Sequence, residues 1–141
     1  MRYLLDTCVL SELVKPLPAP EVLAWMGERN EAELFVSAMT MAELARGIAK
    51  LPASRRKLEL AAWLDKLKLA FSDRVLPFTG ETAGYWAELC NRAESVGKTM
   101  AAFDSIIAAT ALEHGLGMVT RNVSDFLLAP VVVVNPWGKA G

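Results

Sequence analysis

The sequence predicts an α/β fold: a central, mostly parallel sheet of five strands, flanked by helices in three layers. Two observations carry this. Five short apolar runs, Arg2–Leu5, Leu34–Ser37, Val75–Phe78, Gly117–Thr120 and Val131–Val134, alternate with segments of helical character. The runs are continuously apolar rather than alternating, as strands buried on both faces are.

The first run ends at Asp6, and Val9–Val14 follows as a helix that stops before Lys15-Pro16. Leu17-Pro18-Ala19-Pro20 is a stiff connection, and Pro20, with its φ already fixed near the helical value, opens a helix through about Arg29. After the second strand, Thr40–Leu51 is predicted as a helix terminated by Pro52, and Thr40-Met41-Ala42-Glu43 has the form of a capping box. Ser54 caps a long helix to about Phe71. Thr79 or Gly80 opens another to about Val96, ended by Gly97, and a further helix covers about Ala102–His114, closed by Gly115. These last two form a helical hairpin between the third and fourth strands. A short turn around Ser124–Leu128 leads to the fifth.

The 141 residues suit one domain spanning residues 1–141. No apolar run approaches the ~20 residues that cross a membrane. The N-terminus reaches an acid at Asp6 and so has no signal-peptide core, which makes a cytoplasmic protein the expectation. Cys8 and Cys90 show neither metal nor redox spacing. The net charge of −1 excludes binding of nucleic acid by bulk charge, so any contact with RNA is local. Hydrophobic residues make up 53%, which points to a large core or an apolar face for a partner.

In a parallel α/β sheet, the C-terminal ends of the strands and the N-termini of the following helices share one edge, where ligands bind. Asp6 follows the first strand; Glu43 lies early in the helix after the second. Asp104 lies in the first turns of the helix returning to the fourth strand, and Asp125 comes five residues after Thr120. These four carboxylates are expected to converge. Taken singly, an acid at such a position reads as a cap or a dipole partner. Together, four like charges stay ionised only beside a cation. An all-oxygen set without clustered His or Cys selects Mg²⁺ or Mn²⁺ over Zn²⁺, and such a cation activates water and stabilises the transition state of phosphodiester cleavage.

The motifs around these acids resemble those of PIN-domain proteins of the VapC and FitB type. The resemblance is carried by Leu5-Asp6-Thr7-Cys8-Val9-Leu10-Ser11-Glu12-Leu13, by Val36-Ser37-Ala38 with Met41-Ala42-Glu43-Leu44, by Phe103-Asp104-Ser105-Ile106, by Thr120-Arg121-Asn122-Val123-Ser124-Asp125-Phe126, and by Asn135-Pro136-Trp137. It covers nearly the whole chain. It implies a PIN-like fold and a Mg²⁺-dependent endoribonuclease, the toxin of a toxin–antitoxin pair. Asp6 and Asp104 would ligate the metal, with Glu43 and Asp125 bound directly or through water. It further implies supporting roles for Thr7, Thr120 and Asn122, a cognate antitoxin that masks the acids with a basic side chain and supplies any DNA contact, and a homodimer. Cys8 stands where many relatives have Asn, and Ser105 where Ala is more usual.

Arg46 and Lys50 share a helical face with Glu43, and with Arg121 they are candidates for phosphate contacts; a solvated face is the plain alternative. Arg55-Arg56-Lys57 reads as a solvated run that could instead meet RNA or an antitoxin tail. His114, before Gly115, reads as structural. Trp25, Trp63, Trp86 and Trp137 read chiefly as core or interface, with stacking on bases as the functional alternative. The competing functional reading is a non-catalytic PIN-like module that binds RNA or a protein, which predicts loss of at least one acid; all four are present. An aspartyl nucleophile of the haloacid-dehalogenase kind is excluded because Cys8 occupies the position of its second Asp.

Overall fold

A computed structural model of the protein describes residues 1–138. The strands are β1 (Tyr3–Leu5), β2 (Leu34–Ser37), β3 (Val75–Leu76), β4 (Gly117–Val119) and β5 (Val133–Val134). They form one sheet in the order β3-β2-β1-β4-β5, with every neighbouring pair parallel. The chain winds outward from β1 through β2 to β3, then returns to the other side of β1 for β4 and β5. The direction of winding therefore reverses between β1 and β4, and the crevice at their C-terminal ends is where such sheets bind ligands.

The helices are α1 (Thr7–Leu13), α2 (Pro20–Gly27), α3 (Ala38–Ala49), α4 (Arg55–Ala70), α5 (Gly80–Ser95) and α6 (Ala102–His114), with short 3-10 helices at Glu31–Glu33 and Val123–Phe126. Adjacent strand residues face opposite ways. Leu5, Val36 and Val119 pack with Val9, Leu10, Leu44, Leu64 and Phe71 beneath α1, α3 and α4. Leu4 and Met118 pack with Leu89, Ile107, Ala108 and Phe126 beneath α5 and α6. Two apolar layers thus enclose the sheet, and each fully buried Leu or Val contributes about 1.5–3 kcal/mol relative to exposure. That is why the strands carry no polar face.

Several element boundaries differ from the sequence reading. Asp6 caps α1, so that helix begins at Thr7. The helix after β2 starts at Ala38, because Ser37, at the strand end, already supplies the cap: its Oγ accepts from Thr40 N at 3.0 Å. Thr40 is therefore a buried first-turn residue, and Thr40–Glu43 is no capping box. Glu43, released from backbone capping, turns to other partners. The strand expected over Val75–Phe78 stops at Leu76, since Pro77 has no N–H to continue the ladder. The fifth strand is confined to Val133–Val134, and α2 ends at Gly27.

Candidate active site

Asp6 closes β1 and opens α1 at once. Its N–H donates to Val119 O at 2.9 Å, the last rung against β4, and its Oδ1 accepts from Thr7 N at 2.8 Å. Its Oδ2 accepts the Thr120 hydroxyl at 2.7 Å and faces the Cys8 thiol at 3.7 Å. The side chain is buried, 4% exposed, and these donors make that burial tolerable. A carboxylate offers about four acceptor positions. Three are filled here, so what Asp6 retains for a cation lies on Oδ1.

Glu43, half-buried in the second turn of α3, accepts the Thr7 hydroxyl through Oε1 at 2.6 Å. Thr7 Oγ1 also lies 3.3 Å from Thr40 Oγ1, which takes the Ser37 hydroxyl at 3.2 Å. Thr7 has one hydroxyl proton, and the shorter contact with a carboxylate outcompetes the longer one with another hydroxyl. Thr7 thus turns its proton to Glu43, and Thr40 Oγ1, which accepts from Ser37, stands behind it.

Asp104 occupies the first turn of α6, whose N-cap, Ala101, has no side chain to offer the helix end. Its carboxyl is pushed up to about 6, first by burial and then by the negative charges of Asp6, Asp125 and Glu43. The four acids thus share one field. Asp125 is exposed on the 3-10 helix Val123–Phe126, which the fully buried Phe126 anchors to the core.

A cation suits this set by charge and by donor type: it would relieve the repulsion on Asp104, and every acid offers oxygen. Among the described residues, however, no three Asp, Glu, His or Cys side chains are gathered tightly enough to hold an ion by themselves.

The supporting residues divide. Thr7 and Thr120 hold Glu43 and Asp6 as described. Asn122 acts through its backbone: its N–H donates to Thr120 Oγ1 at 2.9 Å, and its carbonyl accepts from Asp125 N at 3.0 Å. Arg121 N donates to Cys8 Sγ at 3.5 Å, and its guanidinium lies 4.6 Å from the centre of the Trp137 ring. Arg46 is exposed on α3, and Lys50 is exposed at its C-cap. His114 meets Glu113 at 3.4 Å at the far end of α6 from Asp104. Arg55-Arg56-Lys57 is more than a solvated run. Arg56 donates to Val14 O at 2.7 Å, and Lys57 donates to Ala49 O and Leu51 O, so both tie α4 to the ends of α1 and α3. Ser105 takes the Trp86 indole N–H at 2.9 Å and donates to Ala102 O at 2.7 Å, fastening α5 to the turn that carries Asp104.

Two cavities open from the acids. One, about 290 Å³, lies between α1, α3 and α4 and is lined by Thr7, Glu43, Leu44, Ile48 and Trp63, with Lys15 and Arg56 beside them. The other, about 400 Å³, is lined by Asp104, Asp125, Met100, Leu127, Leu128 and Lys98. Lys15 and Lys98 escaped the sequence reading, and Arg56 entered it only within the Arg55-Arg56-Lys57 run. Neither lysine carried a usable signal, since Lys98 directly follows the Gly97 helix stop, where a solvated lysine is ordinary.

The model of the PIN domain matches residues 3–126. The chain belongs to the PIN domain family. It is 40% identical over 135 residues to Toxin FitB of Neisseria gonorrhoeae, which spans 95% of this chain and 97% of that protein. It is also 40% identical over 137 residues to VapC ribonuclease Y4jK of Sinorhizobium fredii, covering 96% of this chain and 98% of the other. Among solved structures, FitAB bound to an IR36 DNA fragment superposes with a TM-score of 0.92 at 36% identity, covering 99% of this chain and 98% of that one. The five-stranded parallel sheet with helices on both faces is thus the PIN fold, and the acid-bearing edge lies within the matched PIN region.

Proposed function

We propose that this PIN domain is a Mg²⁺- or Mn²⁺-dependent endoribonuclease that hydrolyses RNA phosphodiester bonds, and that it acts as the toxin of a toxin–antitoxin pair. The observation that carries the reading is Asp104: a carboxyl with no hydrogen-bond partner among the described residues, facing three other acids across one crevice. The similarity to Toxin FitB and to VapC ribonuclease Y4jK supports the choice of substrate and the toxin role.

Asp6 and Asp104 would hold the ion, with Glu43 and Asp125 reached directly or through water. When bound, the cation supplies Lewis-acid stabilisation of the phosphoryl oxygens and makes an attacking water more acidic. The chain's own part is to fix the carboxylates beforehand. Thr120 and Thr7 N hold Asp6, and the Thr7 hydroxyl holds Glu43, so neither acid need reorganise during the reaction. Arg121, braced on Trp137 and directly following Thr120, which holds Asp6, is the favoured phosphate contact, with Arg46 and Lys50 as the alternatives.

A cognate antitoxin is the natural occupant of the cavity between α1, α3 and α4, whose apolar lining leads to Glu43. A basic side chain of that partner would mask the acids, and DNA would be reached only through the antitoxin. Aromatic side chains left partly exposed at Phe78, Tyr85, Trp86 and Phe103 support a homodimer.

The test is incubation of the purified chain with total RNA in Mg²⁺, Mn²⁺ or EDTA, with the cut ends mapped. Cleavage is expected with either metal and not in EDTA. Asp6→Asn and Asp104→Asn should each lower it by about 10²–10³-fold or more, the scale on which losing one electrostatic stabiliser acts, with circular dichroism unchanged. Cleavage that persists in EDTA or in Asp104→Asn overturns the reading.

A further inference from the structure

The cavity beside Asp104 and Asp125 has features that metal binding alone does not require. Its volume of about 400 Å³ lies in the range of small-ligand sites, about 300–1,000 Å³. Its lining joins one ammonium, Lys98, to an apolar shelf of Met100, Leu127 and Leu128. Leu127 is 70% exposed although the preceding Phe126 is fully buried, so a large apolar side chain is displayed from a rigidly anchored turn. Lys98 is firmly mounted as well. Gly97 adopts φ +73°, a left-handed conformation suited to glycine, and the α5 terminus closes through Lys98 N to Ala93 O at 2.9 Å and Gly97 N to Glu94 O at 3.0 Å.

The availability of charge separates this cavity from its neighbour. In the cavity between α1, α3 and α4, Lys15 is paired with Glu12 at 2.9 Å and Arg56 is committed to Val14 O. Among the described residues Lys98 makes no ion pair, although two acids line the same cavity. A cation left unpaired beside acids, next to an apolar shelf, matches a ligand that is itself part anion and part flat apolar ring.

We propose that this cavity is a nucleotide subsite for single-stranded RNA. The base adjoining the scissile phosphate rests on Leu127 and Met100, its flanking phosphate meets Lys98, and the shelf sets which bases are accepted. The proposal rests on the nuclease reading and adds where the substrate strand runs. With a net charge of −1, the chain has no bulk field to hold RNA, so a single placed lysine carries measurable weight.

Wild type, Lys98→Ala, Leu127→Ser and the remote control Lys66→Ala are compared in two assays. Fluorescent twelve-nucleotide homopolymer RNAs are titrated in Mg²⁺ against the same changes placed in the Asp6→Asn chain, and cut positions and steady-state kinetics are measured with the active chains. Lys98→Ala should weaken binding about tenfold and flatten the salt dependence by about 0.7 in log–log slope, one phosphate contact on a single strand. It should raise KM and leave kcat within about twofold. Leu127→Ser should reorder the preferred cut positions, and Lys66→Ala should change nothing. An unchanged salt slope in Lys98→Ala, or an unchanged cut pattern in Leu127→Ser, overturns the subsite. So does a Leu127→Ser chain that alters only the oligomeric state, which would assign the shelf to a second copy. If wild type cleaves while these variants match it, the nuclease reading stands and the subsite alone falls. If wild type neither cleaves nor binds RNA, both fall.

Discussion

Asp6 and Asp104 stand on the same edge of the sheet and are held in opposite ways. Asp6 is buried and met by Thr7 N, the Thr120 hydroxyl and the Cys8 thiol. Asp104 is half-buried, has no such donors among the described residues, and has its carboxyl pushed up to about 6 by burial and by its acidic neighbours. The contrast follows from the elements. A strand end is flanked by the next strand's loop, so β4 can deliver Thr120 to Asp6. The first turn of α6 sets Asp104 beside Ser124 and Asp125 of the segment after β4, and among the described residues neither donates to it. A fully satisfied set of acids would have little need for a cation, and a wholly unsatisfied one would spread apart. On the proposed reading, one half would fix position and the other would supply the driving force for binding a cation.

The sharpest way to break the contrast is to strip the satisfied half of its donors. Thr7→Val keeps the shape and removes the hydroxyl that holds Glu43; Thr120→Val does the same for Asp6. Loss of a partner that orients a ligand costs about 10–100-fold in metal affinity. Each variant is expected to show that loss for Mn²⁺ by calorimetry, and Thr7→Ser should recover most of it. Thr120→Val should also lose about 1–3 kcal/mol of stability, because Asn122 N is left without its acceptor. Unchanged Mn²⁺ affinity in Thr7→Val would mean that Glu43 needs no orienting.

The satisfied half is also the half that sequence reading resolved least. Strand apolarity and helix stops reveal the sheet, because burial on both faces leaves a continuous apolar run. The end-of-strand rule then puts all four acids on one edge without any side-chain detail. Hydrogen bonds between residues far apart in the chain leave no local pattern. Thr7 with Glu43, and Trp86 with Ser105, are legible only in three dimensions. The mistaken capping box at Thr40 shows the limit from the other side. A local motif was complete in sequence, but Ser37 had already taken the task, and Glu43 was drawn to a tertiary partner. Lys98 was missed because a lysine after a helix-ending glycine ordinarily signals only solvent.

Asp104→Asn probes the unsatisfied half without any catalysis. The folded carboxyl titrates near 6, above its ordinary 3.8, so between these values the folded chain keeps a proton that the unfolded chain has released. The stability attached to that proton is fully present below 3.8 and is lost as pH rises through 6. Because Asp104 is partly solvated, the loss is screened to about 1 kcal/mol. In EDTA at pH 7.5, Asp104→Asn should therefore unfold a few degrees above wild type, about 2–5 °C for a chain of this size. The gap should close near pH 4. Added Mg²⁺ should raise wild type more than the variant. A variant less stable than wild type at pH 7.5 would show that Asp104 is not under repulsion.

Cys8 offers the smallest test, and it asks which donors satisfy Asp6. Its sulfur lies 3.7 Å from Asp6 Oδ2 and 3.6 Å from Thr120 Oγ1, and it accepts from Arg121 N at 3.5 Å. Burial pushes the thiol up; the Arg121 N–H opposes this, and the charge of Asp6 adds to it. The group is therefore a protonated, weak donor. A thiol contact at this length counts for less than the 2.7 Å hydroxyl of Thr120. Cys8→Ala should cost less than about 1 kcal/mol by thermal unfolding, below the usual range for a buried group left unpaired, because Asp6 retains two stronger donors. RNA cleavage should fall only a few-fold, and Cys8→Ser should lie between wild type and Cys8→Ala. If Cys8→Ala instead loses as much Mn²⁺ affinity as Thr120→Val, the sulfur is an equal partner in holding Asp6. The satisfied half would then depend on a residue that oxidation can alter, which the hydroxyls of Thr7 and Thr120 are not.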